Sequence, residues 1–225
     1  KEQKIIEVQN YIKETTKPSI VKALEKKYWN NILKGYYSVG EKIDGTRKFL
    51  YFDAYGNLYE LAQFFETITQ IKSPNQKIYK TLIDTEKVKD QYYCFDVLIN
   101  NGKNIKDNTF LERRVELEKV IKKINNKDFI LKEFITAMTK EEILKASKEV
   151  YEKEKDYEKD GLIFTYNHGN YQEASYKWKP LRELTIDFLL INGEEPKLYS
   201  TLHTRAIEKY NFKRKDVVQE TKKIL

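Results

Sequence analysis

Apolar residues in this chain recur mostly with a period of two, and in four places with a helical period. Residues 2–14 set Ile5, Ile6, Val8 and Ile12 among polar neighbours, which predicts an amphipathic helix. Pro18-Ser19 predicts the opening of a second helix, with Ile20, Val21, Leu24 and Tyr28 on one face. Strand patterns follow at Tyr36–Glu41, Arg47–Phe52 and Leu58–Leu61, the last two joined by a turn over Asp53–Asn57. Gly40–Arg47 reads as strand, tight turn and strand, a charged hairpin tip around Gly45. Residues 62–76 show no clear period and end in a Ser73-Pro74-Asn75 turn.

Ile78–Val88 and Tyr92–Ile99 predict two more strands, the second closed by an Asn101-Gly102 turn. Thr109 with Glu112 and Thr139 with Glu142 are capping boxes, opening helices to about Ile124 and Tyr151. Phe129–Phe134 between them is a short strand, and the charged run 152–159 is a solvated helix end or loop. Strands at Gly161–Tyr166, Ser175–Lys179 and Thr185–Ile191 follow, and Phe212–Leu225 reads as a helix or tail. Strands outnumber helices and are mostly hairpin-connected. The pattern therefore predicts an α+β fold with antiparallel sheets flanked by helices.

Composition narrows the partners. The 225 residues are 40% hydrophobic with 17 tyrosines, enough for a core. Lys+Arg 42 against Asp+Glu 35 leaves +7, a balance that favours an anionic partner such as nucleotide or RNA. The single Cys94 excludes an internal disulfide, and with two isolated histidines no zinc cluster can form. Apolar runs are too short to span a membrane and no signal peptide is visible, which points to a soluble intracellular domain. The start at Lys1 points to excision from a longer polypeptide.

Candidate chemistry lies where charge sits within or beside apolar strands, since buried charge is costly unless paired or used. Lys42, Asp44 and Arg47 gather around Gly45. Asp84 and Glu86 alternate along one strand and so share a face, as ordinary surface carboxylates or as ligands. Asp96 sits inside an apolar strand next to Phe95, where it could cap a turn or pair with a lysine. Asp160 precedes the apolar Leu162-Ile163-Phe164. Lys177 and Lys179 share a face around Trp178, either solvated or gripping an anion. Nucleotide transfer makes the set coherent: it needs cations on phosphates, carboxylates for a divalent metal, and an aromatic face for the base.

Together these clusters resemble the covalent nucleotidyltransferases, the superfamily of mRNA capping guanylyltransferases and polynucleotide ligases. Its Lys-x-Asp-Gly-x-Arg motif is matched by Lys42-Ile43-Asp44-Gly45-Thr46-Arg47. Asp160-Gly161-Leu162-Ile163-Phe164 and Lys177-Trp178-Lys179-Pro180, followed by Thr185–Leu190, are similar to the capping-type fourth and fifth motifs. Thr85 stands where the family usually has glycine, which puts the local turn in doubt.

The resemblance implies a nucleotidyltransferase fold with the nucleotide in a cleft between its sheets. It implies that Lys42 attacks the α-phosphorus of GTP and carries GMP to the 5′-diphosphate end of RNA, forming a cap. The alternatives are an ATP-dependent polynucleotide ligase adenylation domain, and a non-catalytic RNA- or protein-binding module. Implied roles are catalysis by Lys42, Lys177 and Lys179, with nucleotide binding by Asp44, Gly45, Arg47, Glu86, Phe95 and Asp187. Arg47 and Glu86 would meet the ribose, and Phe95 would stack on the base. Asp160 and Glu86 would hold Mg2+ or Mn2+. Residues 1–190 would form the transferase domain with 1–35 as a helical lead-in, and 191–225 an extension too short for the family's oligonucleotide-binding barrel. Triphosphatase and methyltransferase domains in the same or an associated chain would be partners, and no membrane. A viral or plasmid-type capping enzyme would be cytoplasmic, a cellular one nuclear.

Overall fold

The capping boxes and alternating segments fold much as their patterns predict. The computed structural model describes residues 2–75, 77–173, 175–180, 185–191, 197–199 and 217–223. The chain runs α1 (Glu2–Thr15), β1 (Val21–Ala23), α2 (Lys26–Ile32), β2 (Tyr37–Ile43), β3 (Thr46–Phe52), β4 (Leu58–Ala62) and β5 (Ile68–Ile71). It continues through β6 (Thr81–Val88), β7 (Gln91–Asn100), β8 (Lys103–Asn104), α3 (Phe110–Ile124), β9 (Phe129–Leu131) and β10 (Ile135–Ala137). Then come α4 (Lys140–Glu152), β11 (Lys159–Tyr166), β12 (Ser175–Trp178), β13 (Thr185–Ile191), β14 (Lys197–Tyr199) and β15 (Val217–Lys223). Both predicted capping boxes, at Thr109 and Thr139, are complete.

Packing divides the chain into two compact units, Lys1–Trp178 and Lys179–Leu225. The first holds two sheets. One has seven strands in the order β5-β4-β3-β6-β7-β8, with β9 alongside β7; the other has five, β1-β12-β11-β2-β10. Period-two alternation gives the larger sheet two apolar faces. Leu50, Phe52, Ile83, Cys94 and Val97 pack under Leu117, Val120 and Ile124 of α3. Phe49, Tyr51, Tyr59 and Leu82 pack against Val8 and Ile12 of α1. Ile143, Ala146 and Val150 of α4 cover Val39, Leu162 and Phe164 of the smaller sheet. The second unit carries a three-stranded antiparallel sheet, β14-β13-β15.

Several expectations are corrected. No helix opens at Pro18: Val21–Ala23 instead pairs in parallel with β12, Leu24 N–H donates to the Lys177 carbonyl, and the helix starts only at Lys26. The unpaired edge of β12 outweighs the local helical pattern there. The expected strand 129–134 stops at Leu131 as β9, a separate β10 beyond it serves the other sheet, and residues 62–76 contain β5. Thr85 makes no turn. It lies within β6, where its hydroxyl donates to the Lys48 carbonyl at 2.8 Å. The tail contains β15, antiparallel to β13, rather than a helix. The charged run is not wholly solvated, since Lys159 Nζ caps the Val150 and Tyr151 carbonyls at the end of α4, at 2.9 Å each.

Gly40–Arg47 is not a hairpin tip. Two residues, Asp44-Gly45, separate β2 from β3, yet these strands do not form a hairpin: β2 pairs with β10 and β11, β3 with β4 and β6. The link carries the chain from one sheet to the other, and so sets the two walls of a cleft.

Candidate active site

That crossing places Lys42 on one sheet and Arg47, five residues later, on the other. Gly45 permits it by close approach: a Cβ there would lie 2.6 Å from the Lys87 carbonyl oxygen and 3.0 Å from the Glu86 Cγ. Any larger residue would push β6 from the link. The cleft has a volume of about 520 Å3 and is lined from both sheets, by Lys42, Ile163 and Lys177 on one side and Arg47, Glu86 and Phe95 on the other. Asp44 and Gly45 also line it.

Lys42 Nζ donates to Asp160 Oδ1 at 2.7 Å. The register of β11 against β2 shifts between Lys159 and Leu162, and the bulge turns Asp160 towards Lys42. The pair is neither buried nor free in solvent, with side chains 21% and 12% exposed. The amine therefore stays within reach of a ligand in the cleft.

Arg47 is committed to the protein. Its Nε and Nη2 grip the carboxylate of the fully buried Asp84 at 3.0 and 2.6 Å, and Nη1 donates to the Ser19 carbonyl at 2.7 Å. Tyr171 closes the network, donating to Asp84 Oδ2 at 2.6 Å and accepting from Arg47 Nη2 at 3.1 Å. Burial opposes the guanidinium charge, but Asp84 outweighs it and holds the Arg47 pKa above its ordinary range. Asp84 is thus no surface carboxylate. Its partner Glu86, two residues on, faces the cleft, and burial raises its pKa to about 7 against the pull of Lys132 and Lys42.

Phe95 lies in the cleft with two cations on its ring, Lys132 Nζ at 5.5 Å and Arg47 Cζ at 5.8 Å. Lys132 also sits 4.9 Å from the Phe134 ring. Burial lowers its pKa to about 8, with Glu41 and Glu86 opposing the shift. Among the described residues neither Lys132 nor Lys177, both of which line the cleft, makes an ion pair. A buried lysine without an ion pair, with a second lysine in the same cleft, favours an anionic or acceptor-rich ligand.

Asp96 pairs with an arginine, not a lysine: Arg113 of α3 grips it through Nε and Nη2 at 2.8 and 3.0 Å. Lys179 belongs to the second unit, as does Asp187 on β13, whose side chain lies outside the described residues.

Asp160 and Glu86 are the carboxylates the resemblance implies for a metal; Glu86 lines the cleft and Asp160 meets Lys42. Among the described residues no group of three metal-ligating side chains occurs. Two carboxylates suit a Mg2+ or Mn2+ ion that arrives on nucleotide phosphates and keeps most of its other ligands from them and from water.

Sequence reasoning missed Lys132, Phe134, Tyr171 and Ser19. Lys132 carried a usable signal, a cation between apolar Leu131 and aromatic Phe134. Tyr171 and Ser19 carried none, because they reach Arg47 only through the tertiary fold.

The family model described as mRNA capping enzyme, catalytic domain, matches residues 4–181. No curated protein matches the sequence. Solved structures share the fold at low identity. A structure from a study of Lig E DNA ligases is 13% identical with a TM-score of 0.54, over 87% of this chain and 88% of that one. Mycobacterial DNA ligase D complexed with ATP and MES is 13% identical with a TM-score of 0.51, over 77% of this chain and 62% of that one. A structure titled Pmar-Lig_Pre is 14% identical with a TM-score of 0.54, over 76% of this chain and 48% of that one. The chain thus spans 62% of the ligase D structure and about half of the last. These likenesses are of fold alone.

Proposed function

The chain belongs to the family of mRNA capping enzyme catalytic domains, covalent nucleotidyltransferases, and on that footing we propose that it is a GTP-specific RNA guanylyltransferase. The observation that carries the choice of base is Lys132. Its ammonium is a donor only, held beside the Phe95 ring without a carboxylate partner. Guanine offers the O6 and N7 acceptors together, whereas adenine sets an amino donor beside N7. A lysine this close to the ring on which the base would stack therefore favours guanine.

In the first step Lys42 Nζ, as the neutral amine, attacks the α-phosphorus of GTP. The N–P bond forms, the bond to the bridging oxygen breaks, and pyrophosphate leaves with that electron pair. Asp160, 2.7 Å from Nζ, orients the amine and takes the proton that the new phosphoramidate nitrogen sheds. Lys177 balances charge on the α-phosphate. Arg47 is a positioning residue: locked to Asp84, it fixes Ser19 and the start of β3 beside the nucleotide. A divalent ion held by Asp160, Glu86 and the triphosphate would neutralise charge on the departing pyrophosphate. In the second step a terminal oxygen of a 5′-diphosphate RNA attacks the same phosphorus. The N–P bond breaks, the proton returns to the amine, and GMP passes to the RNA.

Two results test the base preference. Replacing Lys132 with Met keeps length and removes the donor, and a hydrogen bond from a charged group is worth enough to change selection about 10- to 100-fold. In competition labelling, Lys132→Met should lose that much of the preference for GTP, through weaker GTP use rather than stronger ATP use. An unchanged ratio would remove Lys132 from base recognition. The ratio should also fall as pH rises through about 8, because Lys132 is charged below its lowered pKa and neutral above it. Titrations common to both nucleotides, such as that of Glu86, cancel in the ratio. A ratio flat from pH 7 to 9 would contradict the assignment. Label from ATP but not GTP would assign the chain to ligase-type adenylation.

A further inference from the structure

The cleft has an outer end that the first step does not use. Phe64, 65% exposed, and Ile20, 73% exposed, are large apolar side chains at the surface, yet both line the same cleft as Lys42. Neither position is incidental. Phe64 rides a turn between β4 and β5 that is held from several sides. Phe65 is buried edge-on to Phe49 at 4.9 Å, in a left-handed conformation (φ 61°) that non-glycine residues adopt at a cost. Its N–H donates to the Ala62 carbonyl, and Ala62 N–H to the Thr67 carbonyl. The Glu66 carboxylate accepts from Phe64 N–H at 3.0 Å, and Gln9 of α1 donates to the Phe65 and Glu66 carbonyls. Burying Phe65 this way turns its neighbour Phe64 outwards and holds it there. Ile20 follows Ser19, which Arg47 clamps through both its carbonyl and its hydroxyl, at 2.7 and 3.1 Å.

A rigid, exposed aromatic ring beside a cationic groove is the arrangement by which proteins stack a nucleobase. The base on Phe95 cannot also occupy Phe64. Phe95 is on β7 and the Phe64 turn follows β4, three strand positions away, which at about 4.8 Å per strand is roughly 14 Å. Lys42 and Lys177 line the same cleft, and the chain carries +7, so charge complementarity favours a ligand with phosphates between two bases. We infer that Phe64, flanked by Ile20, is the stacking platform for the terminal nucleoside of the acceptor RNA, whose 5′-diphosphate then reaches the phosphorus on Lys42. This inference rests on the guanylyltransferase reading and adds the acceptor site to it.

The test measures two quantities on the full chain, covalent labelling by α-labelled GTP and binding of a short 5′-diphosphate RNA by fluorescence anisotropy. Phe64→Ala should raise the Kd for the RNA about 5- to 100-fold, the range expected for one lost base–aromatic stack, and leave labelling within twofold. Phe64→Leu, which keeps bulk without an aromatic face, should bind as weakly as Phe64→Ala, whereas a merely structural role for bulk at the exposed turn would restore binding. RNA affinity within twofold of the unsubstituted chain would overturn the inference, as would an equal loss of labelling, which would place Phe64 with GTP. Weaker binding of nicked DNA but not of RNA would overturn it in favour of a ligase substrate. Failure of the unsubstituted chain to take label from GTP would instead count against the guanylyltransferase reading itself.

Discussion

Lys42→Ala is expected to abolish covalent labelling while leaving the fold intact. Lys177 and Lys132 also line the cleft, but it is Lys42 Nζ that donates, at 2.7 Å, to Asp160, the carboxylate proposed to take its proton. Loss of a covalent nucleophile removes the pathway rather than slowing it, so residual labelling should fall below a thousandth of the starting rate. Stability should change little, because the Lys42 side chain is partly exposed and its ion pair is not sealed from water. Lys42→Arg keeps the charge and the contact with Asp160, yet should be equally inactive, since guanidinium does not deprotonate near neutral pH. That comparison separates a nucleophile from a cation that merely binds phosphate. Labelling retained by either variant would move the nucleophile to another residue.

The second large effect is on stability. Arg113 is almost wholly buried, with Nε and Nη2 on Asp96 and Nη1 donating to the Asn108 and Gly169 carbonyls. One side chain thus ties α3, β7 and the turn after β11 together. Arg113→Ala would strand the Asp96 carboxylate in the interior, at a cost of about 3–5 kcal/mol. Denaturant unfolding should show a midpoint lowered by that cost divided by the slope, with little change in the slope itself. Combining Asp96→Leu with Arg113→Met removes both charges, and the double variant should be less destabilised than the sum of its parts. A loss below about 1 kcal/mol in the single variant would mean that water reaches the pair.

Much of the site was legible because its residues violate strand patterning. Lys42, Glu86, Phe95 and Lys177 each put charge or an aromatic ring where an apolar strand would otherwise run, and all four line one cleft. Helix starts were legible from the Thr-x-x-Glu spacing, which is local chemistry. What failed was pairing. Asp44-Gly45 has the length of a hairpin turn, and sequence cannot tell a turn that returns to its own sheet from one that crosses to another. The distinction matters, since only the crossing sets Lys42 opposite Arg47. Likewise Val21–Ala23 became a strand only because β12 offered an edge. Asp84 looked like a surface carboxylate until Arg47 and Tyr171, 37 residues before and 87 after, closed around it.

Lys42 is the residue proposed to carry GMP. The most direct test of that role is mass analysis of the chain after incubation with equal GTP and ATP and a divalent metal ion, followed by mapping of the modified peptide. One adduct of GMP mass is expected on Lys42, stable to base and cleaved by acid, as a phosphoramidate is. AMP on Lys42, an adduct on a different lysine, or no adduct at all would contradict that role.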